Sequence, residues 1–344
     1  MKKINLMNNE EKTLFGEKLN KMFASSNINI LLGAGFSMPV LKTLGDVEQR
    51  LTVAKKEQND IEIYNIEKEF FTASILPLKN KVIVKEGSIA RNRFIHTLID
   101  LIAARHSSVL HKTLNIFTTN YDNLIELSLE EKHVDYFDGF AGKITPIFST
   151  NNYGKIVSKQ SAINNKTTEL VSVNLIKLHG SLYWSVSKDC ILFRDFIERI
   201  NQLESVVDVP EKFVHSYESE FCIVNPNEEK YNLTVLNANY YDQIRLLGNE
   251  LEKHNTVLIA FGFSFNDEHL KVIINRALEN PTLTILIFAY DQDAVESYEE
   301  KFKNFNNVIV LYNATKIEEG DLRYETLKLD HAGKFLEDIY NAIK

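Results

Sequence analysis

Cysteine is almost missing from this chain, with only Cys190 and Cys222 in 344 residues. Neither a disulfide framework nor a four-cysteine zinc site can be assembled from two cysteines so far apart. Glycine (13) and proline (6) are scarce too, against usual shares of about 7% and about 5%. Glycines that stand close together therefore mark special backbone. No apolar run reaches the roughly 18 residues a membrane span needs. The N-terminal stretch has no apolar core after Lys2 and Lys3, so a cytoplasmic location without a membrane anchor is expected. Positive charge is not in surplus either. The net charge of -8 argues against a broadly basic surface, and no direct nucleic-acid binding is expected.

Several enzyme motifs are also missing. No GK[ST] closes a phosphate loop, and there is no HExxH or GxSxG. The Ser185-to-Lys188 spacing matches SxxK only at background level. After Gly33 and Gly35, Met38 stands where a dinucleotide-binding dehydrogenase has its third glycine, and no strand-terminal acid follows about twenty residues on. Hydride transfer is thereby disfavoured.

What is present is a folding sequence. Hydrophobic residues make up 44%, with 21 Phe and 14 Tyr, which excludes wholesale disorder. Continuous apolar, β-branched runs occur at 28–32, 114–119, 171–178, 256–261, 283–289 and 307–312, as in strands buried on both faces. Helical periodicity covers 9–25, 88–105, 122–131, 239–253, 266–279, 292–303 and about 331–343. This alternation predicts an α/β fold: a Rossmann-like parallel sheet covered by helices on both faces. Residues 46–106 read as a helical insertion, and 133–225 as a mixed α/β insertion or cap, within a single domain spanning 1–344.

Open parallel sheets bind ligands beyond the carboxyl ends of their strands. The unusual residues cluster there. The first run enters Gly33-Ala34-Gly35-Phe36-Ser37, a turn that lets backbone amides approach a diphosphate, or else an ordinary strand-to-helix turn. The second ends in Thr118-Thr119-Asn120-Tyr121-Asp122. Asp122 reads as a helix N-cap, whereas the Asn120 amide could hold a ribose hydroxyl or orient a water. The third ends in Lys177-Leu178-His179-Gly180-Ser181, where a histidine can point into the same crevice and titrate near neutrality, or serve the structure alone. The fourth ends in Gly262-Phe263-Ser264-Phe265-Asn266-Asp267.

In this order, GAGxS, TxNxD, HG and a later GxS resemble the sirtuin superfamily, across residues 33 to 267. The longer strings KLHGSLYW and GFSFNDEHL look like the bacterial sirtuin-like branch of anti-phage defence systems, whose members hydrolyse NAD. The resemblance implies that Gly33, Ala34, Gly35, Phe36 and Ser37 cradle the NAD diphosphate. Asn120 would face the nicotinamide ribose and His179 would be the general base. Gly262, Ser264 and Phe265 would contact phosphate or the adenosine ribose. Thr119 replaces the family's glutamine at a ribose contact, Asp122 matches the family acid, and Asp46 is a weak match after the departing segment MPVLKTLGDVEQR.

Nicotinamide leaves a pyridinium as a neutral molecule, so no paired carboxylates of the glycosidase kind are required. The resemblance therefore implies an NAD glycohydrolase releasing nicotinamide and ADP-ribose, an NAD-depleting effector of anti-phage defence and abortive infection. No zinc is expected. The alternatives are an NAD-dependent protein deacylase, which usually braces its acyl-lysine groove with a four-cysteine zinc module, and a non-catalytic NAD or ADP-ribose-binding subunit. Unrestrained NAD hydrolysis would be toxic, so control is expected through a homo-oligomer and a separately encoded partner such as a hexameric DNA-translocating ATPase.

Overall fold

The computed structural model describes residues 1–42, 47–106, 110–187, 190–220, 234–317 and 321–343; Asp46, Lys188 and Cys222 lie outside the described residues. Six parallel strands form the centre of the main sheet: Asn27–Leu32, Thr113–Thr118, Ser172–Lys177, Thr256–Phe261, Leu283–Phe288 and Val308–Lys316. Numbered in that chain order, they lie side by side as third, second, first, fourth, fifth, sixth. This is the doubly wound dinucleotide-fold order, in which the direction of winding reverses beside the first strand. The expected Rossmann-like α/β class is thus the observed one.

Each strand buries both faces because its apolar residues do not alternate with polar ones. Ile28, Ile30 and Leu32 face one core with Ile116, Leu175, Ile259 and Leu311, covered by helices Asn9–Ser25, Ser88–Ala103 and Leu329–Asn341. Leu31, Phe117, Ile176, Leu258 and Ala260 face the other, under helices Thr234–Glu252, Glu268–Ala277 and Gln292–Phe302. Burial of such side chains contributes about 1.5–3 kcal/mol each before entropy is set against it.

One polar feature interrupts the second core. Asn29, Asn115 and Asn174 lie opposite one another on the first three strands. Asn115 donates to Asn29 at 2.9 Å, and Asn174 donates to Asn115 at 2.8 Å. Such a ladder penalises any slip of register, since a shift of one residue would leave buried amides unpaired.

Three short strands join the main sheet beyond these six. Lys2–Asn5 and Asp135–Phe137 extend the sheet in parallel, and Leu322–Glu325 runs antiparallel to Val308–Lys316. They are short or polar and carry little periodic signal. Within 46–106, Ser88–Ala103 packs on the sheet, while Asp60–Phe70 joins a helical cap. That cap draws on a distant part of the sequence, the helices Ile197–Val206 and Pro210–Glu220. Phe71, Ile75 and Leu78 share its core with Ile200, Leu203 and Phe213, and Tyr64 donates to the Val207 carbonyl at 2.8 Å. A small antiparallel sheet of 140–141, 147–148, 184–187 and 190–193 lies alongside, with Trp184 stacked on Tyr240.

Candidate active site at the strand ends

The four loops singled out in the sequence meet at the carboxyl ends of the first four strands and are tied to one another. The first tie is made of backbone alone. Gly33 N–H donates to the Phe261 carbonyl and Gly35 N–H to the Gly262 carbonyl, both at 3.1 Å. A Cβ on Gly33 would stand 2.4 Å from the Gly262 carbonyl oxygen, and one on Gly35 would stand 2.7 Å from the Gly262 Cα. Gly262 itself has φ +65°, and its added Cβ would meet the Gly35 Cα at 2.6 Å. Only hydrogen fits between these chains. The glycines in both motifs are thus explained first by loop-on-loop packing.

The second tie is a buried chain of polar side chains. Asn120 Nδ2 donates to the Gly33 carbonyl and to Ser37 Oγ, both at 2.9 Å. A carbonyl only accepts, so the Gly33 contact fixes which end of the amide is nitrogen. Ser37 Oγ in turn donates to Asp122 Oδ2 at 2.6 Å, and Asp122 Oδ1 accepts the Leu124 N–H at 2.9 Å. All three residues are buried. Asp122 therefore serves the helix start and Ser37 together. It is enclosed by these partners.

The third tie holds the second loop against the third. Leu178 N–H donates to the Thr118 carbonyl at 2.8 Å and Leu182 N–H to the Tyr121 carbonyl at 3.0 Å. Lys177, also buried, pairs with Glu126 at 2.9 Å and donates to the Asp122 carbonyl. Burial pushes the Glu126 carboxyl up in pKa, and the Lys177 ammonium works against that rise.

The fourth tie runs from His179 to Asp267, Nε2 to Oδ2, at 2.9 Å. The two side chains keep 27% and 20% of their exposure, so this pair, unlike the first, remains open to solvent. Burial acts to raise the Asp267 pKa. The hydrogen bond and charge of His179, with the Leu270 N–H and His269, outweigh it and hold the carboxyl below its usual range. Asp267 also caps the helix Glu268–Ala277, its Oδ1 accepting the Leu270 N–H at 3.1 Å. In the sequence Asp267 closes the fourth motif without a signal of its own. Its position just before a helix makes capping a sufficient account, so only the fold reveals its second partner.

The expected residues separate by environment. Ala34 and Ser264 are exposed, and neither N–H has a partner among the described residues. Thr119 is half-buried, with its N–H on the Leu32 carbonyl. Phe36 packs edge-on to Phe94, and Phe265 to Tyr298 and Phe302, both rings being fully buried. Any part these two phenylalanines take in binding therefore falls to their backbone. Phe265 has φ +57°, a strained conformation for a bulky residue, at the turn that sends Asp267 back toward His179.

The donor and acceptor set suits a nucleotide with ribose hydroxyls. Free N–H groups on the first and fourth loops match phosphate oxygens. Asn120 Oδ1 and His179 Nδ1, which have no partners among the described residues, match hydroxyl protons.

A parallel three-layer sheet with its polar residues gathered at the switch of winding defines a Rossmann-type nucleotide-site protein. Residues 114–311 match the model of the SIR2-like domain, and the chain belongs to that family. Membership makes it a sirtuin-like protein with an NAD-related function. A solved structure described as "Structural Basis for the Mechanism and Regulation of Sir2 Enzymes" is 14% identical, covering 95% of this chain and 96% of its own, with a TM-score of 0.44. No curated protein sequence matches the chain. No helix among the described residues is long and apolar enough to cross a membrane.

Proposed function

We propose that the protein is an NAD glycohydrolase, cleaving the bond between nicotinamide and ribose to give nicotinamide and ADP-ribose. The observation that carries this reading is the pairing, at one strand-end crevice, of a fixed Asn120 amide with a half-exposed histidine whose Nδ1 has no partner among the described residues. NAD is the substrate. Its carbon-nitrogen bond breaks with the electron pair leaving on nicotinamide, water forms the new carbon-oxygen bond, and the water's proton is released.

The residues divide that work. The free N–H groups of Ala34 and Ser264 bind diphosphate oxygens, and Gly33, Gly35 and Gly262 allow the backbone to come close. Asn120, held through its Nδ2, offers Oδ1 to a ribose hydroxyl or to the attacking water. His179 accepts the proton at Nδ1, a contribution of about 10²–10⁴ in rate for a well-placed base. Buried Ser37 and Asp122 keep Asn120 in place. The whole chain acts as one NAD-binding core, in which 46–106 and 133–225 bring insertions around Ser88–Ala103 and Ser172–Lys177, two elements that belong to the core itself. With two cysteines in the chain, a four-cysteine zinc brace is not available to it, which favours hydrolysis over deacylation.

The cell would keep such an activity silent until needed. An effector role in anti-phage defence, a cytoplasmic location, homo-oligomer formation and control by an ATPase subunit complete the proposal. Incubation with NAD, following nicotinamide release by wild type, Asn120→Ala and His179→Ala, tests the site. Loss of turnover in the variants is expected, and full turnover in both would contradict it.

A further inference from the structure

The loops that carry His179 and Asp267 follow the third and fourth strands, which the first and second strands separate. At about 4.8 Å per strand, three intervals amount to about 14 Å. The bridge therefore reaches across the ends of the strands that carry Gly33 and Asn120. A 2.9 Å bond between loops that leave strands this far apart, made by a carboxylate kept ionised, is more than the helix cap requires. The cap uses Oδ1, while Oδ2 is given to the histidine.

We propose that Asp267 is a positioning residue that sets the tautomer of His179, an inference that rests on His179 being the base. An ionised carboxylate only accepts, so a neutral imidazole facing it must carry its proton on Nε2. The lone pair is then on Nδ1, the nitrogen without a partner among the described residues. Asp267 thus selects which nitrogen works and fixes the ring plane. As the proton arrives, the nearby negative charge stabilises the imidazolium. The strained turn at Phe265 holds the carboxylate at the right height, with Tyr298 donating to the Phe263 carbonyl at 2.9 Å and Lys301 to the Ser264 carbonyl at 2.8 Å.

Asp267→Asn separates positioning from capping. Asparagine caps a helix about as well as aspartate, so the Leu270 bond survives. Its Nδ2, however, donates toward His179 and drives the proton to Nδ1, removing the working lone pair. The expected result is a kcat lower by about 10²–10⁴, the span of a general base's contribution, with KM and thermal midpoint close to wild type. Nitrogen-15 spectra of the wild-type imidazoles, with the His179 signal assigned by its loss in His179→Gln, should show the Nε2–H form, and Asp267→Asn the Nδ1–H form. A wild-type Nδ1–H form, or an unchanged kcat in Asp267→Asn alongside an inactive His179→Gln, overturns the inference and leaves the functional reading intact. An active His179→Gln overturns that reading itself.

Discussion

Two polar groups sit at the same strand ends and differ in almost every respect. Ser37, Asn120 and Asp122 form a buried chain in which each member is held by the next, while His179 and Asp267 form a half-exposed bridge whose histidine has one nitrogen without a partner among the described residues. Burial makes the first group rigid and costly to disturb, because any lost partner leaves a desolvated polar atom. Exposure makes the second group available for chemistry and cheaper to alter. The comparison separates the residues that hold the crevice together from those that the proposed function assigns to the chemistry.

Substitutions should divide along that line. The largest effect is expected from His179→Ala, which should lower nicotinamide release by about 10²–10⁴ with little change in thermal midpoint. A large drop in midpoint would place His179 with the buried group. Asn120→Ala should cost both properties, since it removes the proposed ribose partner and takes the donor away from the Gly33 carbonyl and the Ser37 hydroxyl. Combined rate and urea-unfolding measurements check this. Gly262→Ala should displace the first loop from the fourth, because its Cβ would meet the Gly35 Cα at 2.6 Å. A destabilisation of about 1–3 kcal/mol is expected from a strained backbone of this kind, with weakened NAD binding measurable by calorimetry.

Asp122→Ala should lower unfolding free energy by about 1–3 kcal/mol per orphaned group, as Ser37 and the Leu124 N–H lose their acceptor. Unchanged stability would mean that the buried chain is not what holds Asn120. The smallest effect is one of pH. The Asp267 carboxyl lies below its usual pKa in the folded chain, so its stabilising contribution is full above the ordinary carboxylate range and is lost as pH falls through the lowered value. The stability gap between wild type and Asp267→Ala should be steady near neutrality and narrow below about pH 4.

The same contrast governs how much could be read from the residues alone. Helix Asn9–Ser25 and strand Thr256–Phe261 stand where the periodicity places them, because continuous apolar runs and amphipathic spacing are local properties. The four loop motifs were legible for a similar reason: glycine pairs and polar residues directly after apolar runs mark strand ends. Their partners were not. Asn29, Asn115 and Asn174 each occupy the third position of a strand, but a ladder exists only once the strands are set side by side. Asp267 is 88 positions from His179, and nothing local distinguishes a capping aspartate from one that also holds a histidine. The cap joins helices more than 120 residues apart, for which periodicity carries no address. Strands as short as Asp135–Phe137 hold too few residues for a pattern to emerge.

The central claim is hydrolysis of NAD at this crevice without an acyl-lysine partner. Its most direct test quantifies nicotinamide and ADP-ribose from NAD with and without acylated peptide, with any activating partner supplied. Equal amounts of the two products, independent of peptide and absent from His179→Ala, are predicted. Release only in the presence of acylated peptide, or tight NAD binding with no release at all, would contradict the account.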